Sequence, residues 1–157
     1  MPAHSEKTLL AISPLDGRYA NQTEPLQHYF SEFALFKFRF FIEVKWLHYL
    51  LKHAKSLGIA TPSPETLETL EQRANLFSLS DAQAIKAIEQ QCKHDVKAVE
   101  YFLKDYLVKQ PSLAAYQEWV HFGCTSEDIN NLAYGLMLKN ALSDVILPKL
   151  NAFAEQL

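Results

Sequence analysis

Ser31-Glu-Phe-Ala-Leu-Phe-Lys-Phe-Arg-Phe-Phe-Ile-Glu-Val-Lys-Trp-Leu-His-Tyr-Leu-Leu51 decides how the rest of this chain is read. Ser31 suits a helix N-cap, where a side-chain oxygen accepts from a first-turn N–H. Behind it, Phe33, Leu35, Phe36, Phe38, Phe40, Phe41, Ile42, Val44, Trp46, Leu47, Leu50 and Leu51 place apolar surface on nearly every face. A helix apolar all round is buried on several sides, by its own domain or by a partner chain. The spacing predicts a helix from Ser31 to about Lys55, stopped by Gly58. Lys37, Arg39, Glu43 and Lys45 break the run and exclude a membrane span.

Elsewhere in the chain, helical signals recur and strand-like alternation is nearly absent, with only four glycines in all. Residues 1–23 read as an irregular arm containing the turn-forming Ser13-Pro-Leu-Asp-Gly17. Pro25 suits the start of a short helix. Ser63-Pro64 is an N-cap followed by a first-position proline, and Ser80-Asp-Ala-Gln83 reads as a capping box. A break near Cys92–Asp95 precedes an amphipathic helix bearing Val96, Val99, Phe102, Leu103 and Tyr106, which Pro111 ends. A short helix to about Trp119 follows. The last helix starts near Ser126 and is still periodic at Leu150, Phe153 and Leu157, with a kink expected at Pro148. No helix-stop signal closes that pattern, so truncation accounts for the end of the chain at least as well as a natural terminus does. The fold class is all-α.

The 157 residues suffice for one medium domain with a sizeable core. A hydrophobic fraction of 48%, a charged fraction of 21% and a net charge of -3 describe a soluble protein without a nucleic-acid-binding surface. Cys92 and Cys124 show neither metal-ligand spacing nor a disulfide framework, and no signal-peptide core opens the chain, so a cytoplasmic location is expected. No GxGxxG, GxxxxGK, HExxH or GxSxG pattern occurs, which leaves a reaction without cofactor or metal, or simple binding, as the expectation.

Three polar clusters fall at element boundaries, where functional residues concentrate. In Asp16-Gly-Arg-Tyr19, the planar fork of Arg18 suits phosphate or carboxylate, and a surface turn with a solvated arginine is the plainer reading. In Lys93-His-Asp-Val-Lys97, His94 is the one histidine of six with an ionisable neighbour on each side. It suits phosphate binding or proton shuttling, while Asp95 equally suits an N-cap, which would leave His94 an exposed bystander. His48 and His53 read as packing or surface residues, and His4 and His28 lack a supporting cluster. In His121-Phe-Gly-Cys-Thr-Ser-Glu-Asp-Ile-Asn-Asn131, Thr125 and Asp128 form a capping-box-like pair. The free N–H groups of such a helix start make an anion site. His121 is open to two readings: support of the 125–128 turn, or a satisfied buried polar side chain.

Together and in this order, Ser13-Pro-Leu-Asp-Gly-Arg-Tyr19, Lys93-His-Asp-Val-Lys-Ala-Val-Glu-Tyr-Phe-Leu103 and His121 to Asn131 resemble the adenylosuccinate lyases of the fumarase/aspartase superfamily. The resemblance extends from about Leu10 to Leu150. It implies an all-α fold in two parts: an N-terminal helical domain over residues 1–118, and over 119–157 the start of the long-helix bundle. The activity implied is β-elimination across a C–N bond, releasing fumarate from adenylosuccinate and from the succinyl-carboxamide imidazole ribotide of purine synthesis. The implied roles place Arg18 and Tyr19 at the nucleotide, Arg18 at its phosphate, His94 and Asp95 at the substrate, and Thr125 and Ser126 at its succinyl part. Lys93 stands where the family usually has Asn; its extra charge either strengthens anion binding or points outward.

The family's general-acid histidine, in a Thr-His segment, and its flexible loop, with a serine base and Met-Pro-x-Lys, are expected beyond Leu157. So are most helices of a homotetramer whose sites draw on three subunits. General acid–base catalysis contributes ~10²–10⁴-fold, so the chain on its own is expected to be inactive. A non-catalytic helical assembly module and another lyase of the superfamily are the competing readings.

Overall fold

The computed structural model describes residues 9–157, and all of their regular structure is helical. The first residues of the arm, His4 among them, lie outside the described residues. Two single turns, α1 (Ala20–Thr23) and α2 (Gln27–Phe30), flank a 3-10 turn at Glu24–Leu26 that contains Pro25. They lead into α3 (Glu32–Lys52), the longest helix, followed by α4 (Pro64–Asn75), α5 (Leu79–Cys92) and α6 (Asp95–Val108). A 3-10 segment at Ala114–Trp119 precedes α7 (Ser126–Ala141), which passes through a π-helical turn at Leu142–Ile146 into α8 (Leu147–Ala154).

The caps explain these boundaries. Ser31 accepts from the Ala34 N–H at 3.2 Å and Ser63 from the Thr66 N–H at 3.2 Å, with Pro64 at the first helical position. The capping box expected at Ser80 forms two residues earlier. Ser78 and Asp81 make it, with the Ser78 N–H donating to Asp81 Oδ2 at 2.8 Å. A carboxylate accepts more strongly than the amide of Gln83, and Arg73 also holds Asp81 at 3.0 Å. The long helix ends at Lys52 rather than near Lys55, because the chain first tightens into a 3-10 turn at Ala54–Leu57. Gly58, at φ 70°, then turns the backbone away, as expected of a left-handed stop. Pro148 has no N–H for the helix ladder, and the π turn just before it absorbs the mismatch.

α3 is the axle of the fold, as its all-round apolar sequence demands. Phe36, Phe40, Val44, Leu47 and Leu51 face Leu70 and Ala74 of α4, Ile85 of α5, and Val99, Leu103 and Leu107 of α6. Ala34 and Phe38 meet Ala133 and Met137 of α7 on another side. Between these two cores, Ile42, Val96 and Ile129 form a third that touches Cys124. The guanidinium of Arg73 lies 4.7 Å from the Phe40 ring centre and 5.0 Å from that of Tyr106, tying α4 to α3 and α6. No helix among the described residues is long and apolar enough to cross a membrane.

Candidate functional site

A tight turn joins α5 to α6. Lys93 adopts a left-handed conformation (φ 57°), which lets α5 stop and α6 start with only Lys93 and His94 between them. His94 caps α6: its Nδ1 accepts the Lys97 N–H at 3.2 Å. Asp95 is therefore not the cap but the first residue of the helix. Its Oδ1 accepts from the Val96 N–H at 2.9 Å, and its Oδ2 meets Arg39 Nη2 at 2.8 Å. Partial burial would push the Asp95 carboxyl up, but the Val96 N–H and the Arg39 guanidinium outweigh it and hold it below the usual carboxylate range.

Arg39 joins the two helix starts. It is 3% exposed, and its Nε donates to Asn130 Oδ1 of α7 at 2.9 Å while its Nη2 holds Asp95 of α6. Val96, Ile129 and Ile42 close the apolar gap beside it. Arg39 of α3 thus links Asp95, beside His94, to Asn130, one turn beyond Ser126.

At the start of α7, Asp128 reaches back to Thr125. Its Oδ2 accepts from the Thr125 N–H at 2.7 Å and from the Thr125 hydroxyl at 2.8 Å. These two bonds, the backbone one first, hold the Asp128 carboxyl below its usual range. The Thr125 hydroxyl proton is accordingly engaged, leaving the oxygen lone pairs, the Ser126 hydroxyl and the first-turn N–H groups of Ser126 and Glu127 for a ligand.

Before α7 the chain makes a tight loop with left-handed residues at His121 (φ 62°) and Gly123 (φ 73°). Two bonds from α3 pin it. His121 Nδ1 lies 2.6 Å from Glu43 Oε1, and Trp46 Nε1 donates to the Phe122 carbonyl at 2.8 Å. Glu43 is fully buried. Its hydrogen bond raises the His121 pKa above the ordinary histidine value, against the opposing effect of burial. Of the two readings of His121, support of the turn is the one the geometry favours: the side chain is half-buried, with Nδ1 satisfied by Glu43. Alongside, Glu100 of α6 is 3% exposed and bridged by Lys97 at 2.8 Å and Lys104 at 3.1 Å.

The other candidates lie apart. Lys93 is exposed and borders a shallow groove with Lys86, Glu89 and Gln90 of α5. Arg18 and Tyr19 are exposed on the arm, lining a cavity of about 470 Å³ with Leu9, Ala11, Ser13, Pro14 and Gly17. The arm turn is closed locally, by the Ser13 N–H to Asp16 Oδ1 at 2.9 Å and the Thr23 hydroxyl to the Leu15 carbonyl at 2.9 Å. Among the described residues no hydrogen bond or ion pair ties Arg18 or Tyr19 to residues 93–95 or 125–126. His48 is buried and His53 exposed. No cluster of three or more His, Cys, Asp or Glu able to hold a metal ion occurs among the described residues.

Arg39 and Glu43 carry the geometry, yet their sequence signal reads first as an argument against a membrane span. Two charges four residues apart in an otherwise apolar helix were the clue, since buried charges persist where they are paired.

An all-α body with polar clusters gathered at helix starts defines the class, and comparison with known sequences agrees. The family described as Lyase matches residues 17–157, and the chain belongs to it. Among individual relatives, the adenylosuccinate lyase of Escherichia coli K12 is 48% identical over 141 residues, covering 90% of this chain and 31% of that protein. Those of Vibrio cholerae and Haemophilus influenzae are each 47% identical over 142 residues, again 90% of this chain and 31% of the relative. The chain thus spans about a third of the length of the curated relatives it matches.

Proposed function

We propose that this chain supplies substrate-binding residues to a lyase that cleaves adenylosuccinate to AMP and fumarate, and the succinyl-carboxamide imidazole ribotide to its carboxamide and fumarate. The observation that carries this is the meeting of two helix starts at Arg39, in a sequence close to adenylosuccinate lyases. In β-elimination a base removes a proton from the succinyl carbon next to the C–N bond. The electron pair forms the fumarate double bond, and the departing nitrogen takes up a proton. The succinyl carboxylates suit the α7 start, where Ser126 and the first-turn N–H groups donate. His94 and Asp95 contact the substrate beside it. Arg18 holds the phosphate with its fork and Tyr19 the nucleoside. Lys93 adds positive charge near this region.

These clusters bind rather than move protons. The 157-residue chain is therefore expected to release no fumarate from adenylosuccinate, followed by ultraviolet absorbance. Fumarate release by this chain alone would overturn the division of roles. Calorimetry with AMP and with adenylosuccinate, repeated on His94→Ala and Arg18→Ala, tests the site directly. Weakened binding in both variants supports it, and unchanged heats refute it.

Residues 1–118 read as an N-terminal domain and 119–157 as the start of a bundle, in a cytoplasmic homotetrameric enzyme. Exposed Leu132, Leu138, Leu150 and Phe153 along α7 and α8 favour such assembly. The same exposure supports a second reading, a helical assembly module without catalysis. Self-association in sedimentation, combined with no nucleotide binding, would select it.

A further inference from the structure

We propose that Glu43 is a positioning residue: from inside the fold it holds His121 and so sets the turn that presents Thr125 and Ser126 at the start of α7. Glu43 is 0% exposed in the longest α-helix among the described residues, a place where an apolar residue would satisfy packing without desolvating a carboxyl group. Its Oε1 is 2.6 Å from His121 Nδ1, while its Oε2 is buried and has no hydrogen-bond partner. A packing role does not explain a buried acid that satisfies one oxygen and leaves the other unmet.

What the acid holds is itself unusual. His121 has φ 62°, a left-handed conformation uncommon for a residue other than glycine, and the turn it makes is restrained from outside. Two restraints come from one face of α3. Glu43 takes the His121 ring, and Trp46 three residues on takes the Phe122 carbonyl at 2.8 Å. Arg39, four residues before Glu43, ties Asp95 and Asn130 on the same side. Positions 39, 43 and 46 follow helical spacing, so one polar stripe of α3 sets both candidate clusters.

With Nδ1 taken by Glu43, His121 Nε2 is neither buried nor hydrogen-bonded among the described residues. The ring is thus fixed in orientation with one nitrogen open beside the α7 start. The charged groups around it are Glu43 on α3, Lys97 and Glu100 on α6, and Asp128 on α7.

The functional consequence rests on the proposed succinyl-binding role of Thr125 and Ser126, whereas the placement of the turn does not. NMR on the full 157-residue chain separates the two. In the wild type, His121 should carry a hydrogen-bonded proton on Nδ1; a ring protonated only on Nε2 would overturn the proposal without any variant. In Glu43→Gln, the His121 titration midpoint should fall toward the ordinary histidine value, and the amide signals of Gly123 to Ser126 should move while the melting temperature holds. Unmoved signals there would overturn the proposal, and so would movement that comes only with a lowered melting temperature. Fumarate serves as the ligand probe. Its affinity, read at the Ser126 amide, should fall about fivefold to tenfold in Glu43→Gln, and equal affinity would refute a positioning role. A wild-type chain whose amides ignore fumarate would sink the succinyl-binding reading, leaving the His121 spectra to decide the placement of the turn.

Discussion

The arm that carries Arg18 and the junction that carries His94, Thr125 and Ser126 are held by different kinds of bond. The arm closes on itself through contacts between residues no more than eight apart, and Arg18 and Tyr19 stay exposed. The junction is fixed across the molecule, by Arg39 to Asn130 over 91 residues and Glu43 to His121 over 78, both from the core of α3. The lesson is a division of labour. One part of the candidate site is preset by the fold, and the other is a local turn whose side chains are free to follow a ligand. Side-chain truncations in the junction should register in stability, and those in the arm only in binding.

Arg39→Ala should strike that contrast hardest. It removes the bonds to Asp95 and Asn130 and the packing of a buried stem. Breaking a buried pair costs about 3–5 kcal/mol when the partner is left buried. Asp95 keeps nearly half its exposure (46%), so about 2–3 kcal/mol is expected, read from the urea midpoint. The acid limb should change as well. A depressed carboxyl contributes stability that is present above its unfolded value and lost as pH falls through the folded one, and Arg39→Ala should weaken that dependence.

Two histidines, His48 and the half-buried His121, should oppose each other in a smaller effect. His121, raised by its bond to Glu43, contributes stability that is fully present below about pH 6.5 and is lost as pH rises through its higher folded value. His48 is lowered by burial, so its penalty grows as pH falls below the same reference. Thermal midpoints across pH 5 to 9 should therefore drop less on the alkaline side in His121→Gln and less on the acid side in His48→Gln. A His121→Gln profile parallel to the wild type would remove the Glu43 pair from the account.

The sequence made α3 legible because a run apolar on every face has few other homes, and made the caps at Ser31, Ser63 and Thr125 legible because their chemistry spans three residues. What escaped was non-local or a contest between near equals. Ser78-Asp81 and Ser80-Gln83 overlap as capping pairs, and the stronger acceptor in Asp81 together with the arrival of Arg73 favours the first. That His94 rather than Asp95 caps α6 depends on Arg39 claiming the aspartate from another helix. The partner of His121 lies in a segment whose charges read only as interruptions of a hydrophobic run. Buried polar pairing is set by topology, and topology is what a single sequence shows least.

The cap of α7 offers a milder test of the preset side. Thr125→Ala removes the hydroxyl that donates to Asp128 and leaves the bond from the residue's own N–H. A lost cap side chain costs about 0.5–2 kcal/mol. The low end is expected here because the backbone half of the box survives, and the urea midpoint measures it. A loss as large as that of Arg39→Ala would mean the α7 start is held chiefly by its own cap and not from α3.

Arg18→Ala should leave stability within about 0.5 kcal/mol of the wild type, the usual range for a surface position without tertiary bonds. Nothing among the described residues pairs with the guanidinium, so its removal strands no partner. Binding is another matter. If the arm supplies the phosphate contact, AMP affinity by calorimetry should fall while the urea midpoint stays put, and adding salt should weaken wild-type binding more than that of the variant. Arg18→Lys should restore only part of the affinity, because an ammonium cannot make the two parallel bonds of a guanidinium fork. A variant that loses stability along with binding would show the arm to be built into the fold, and the contrast between the two regions would collapse.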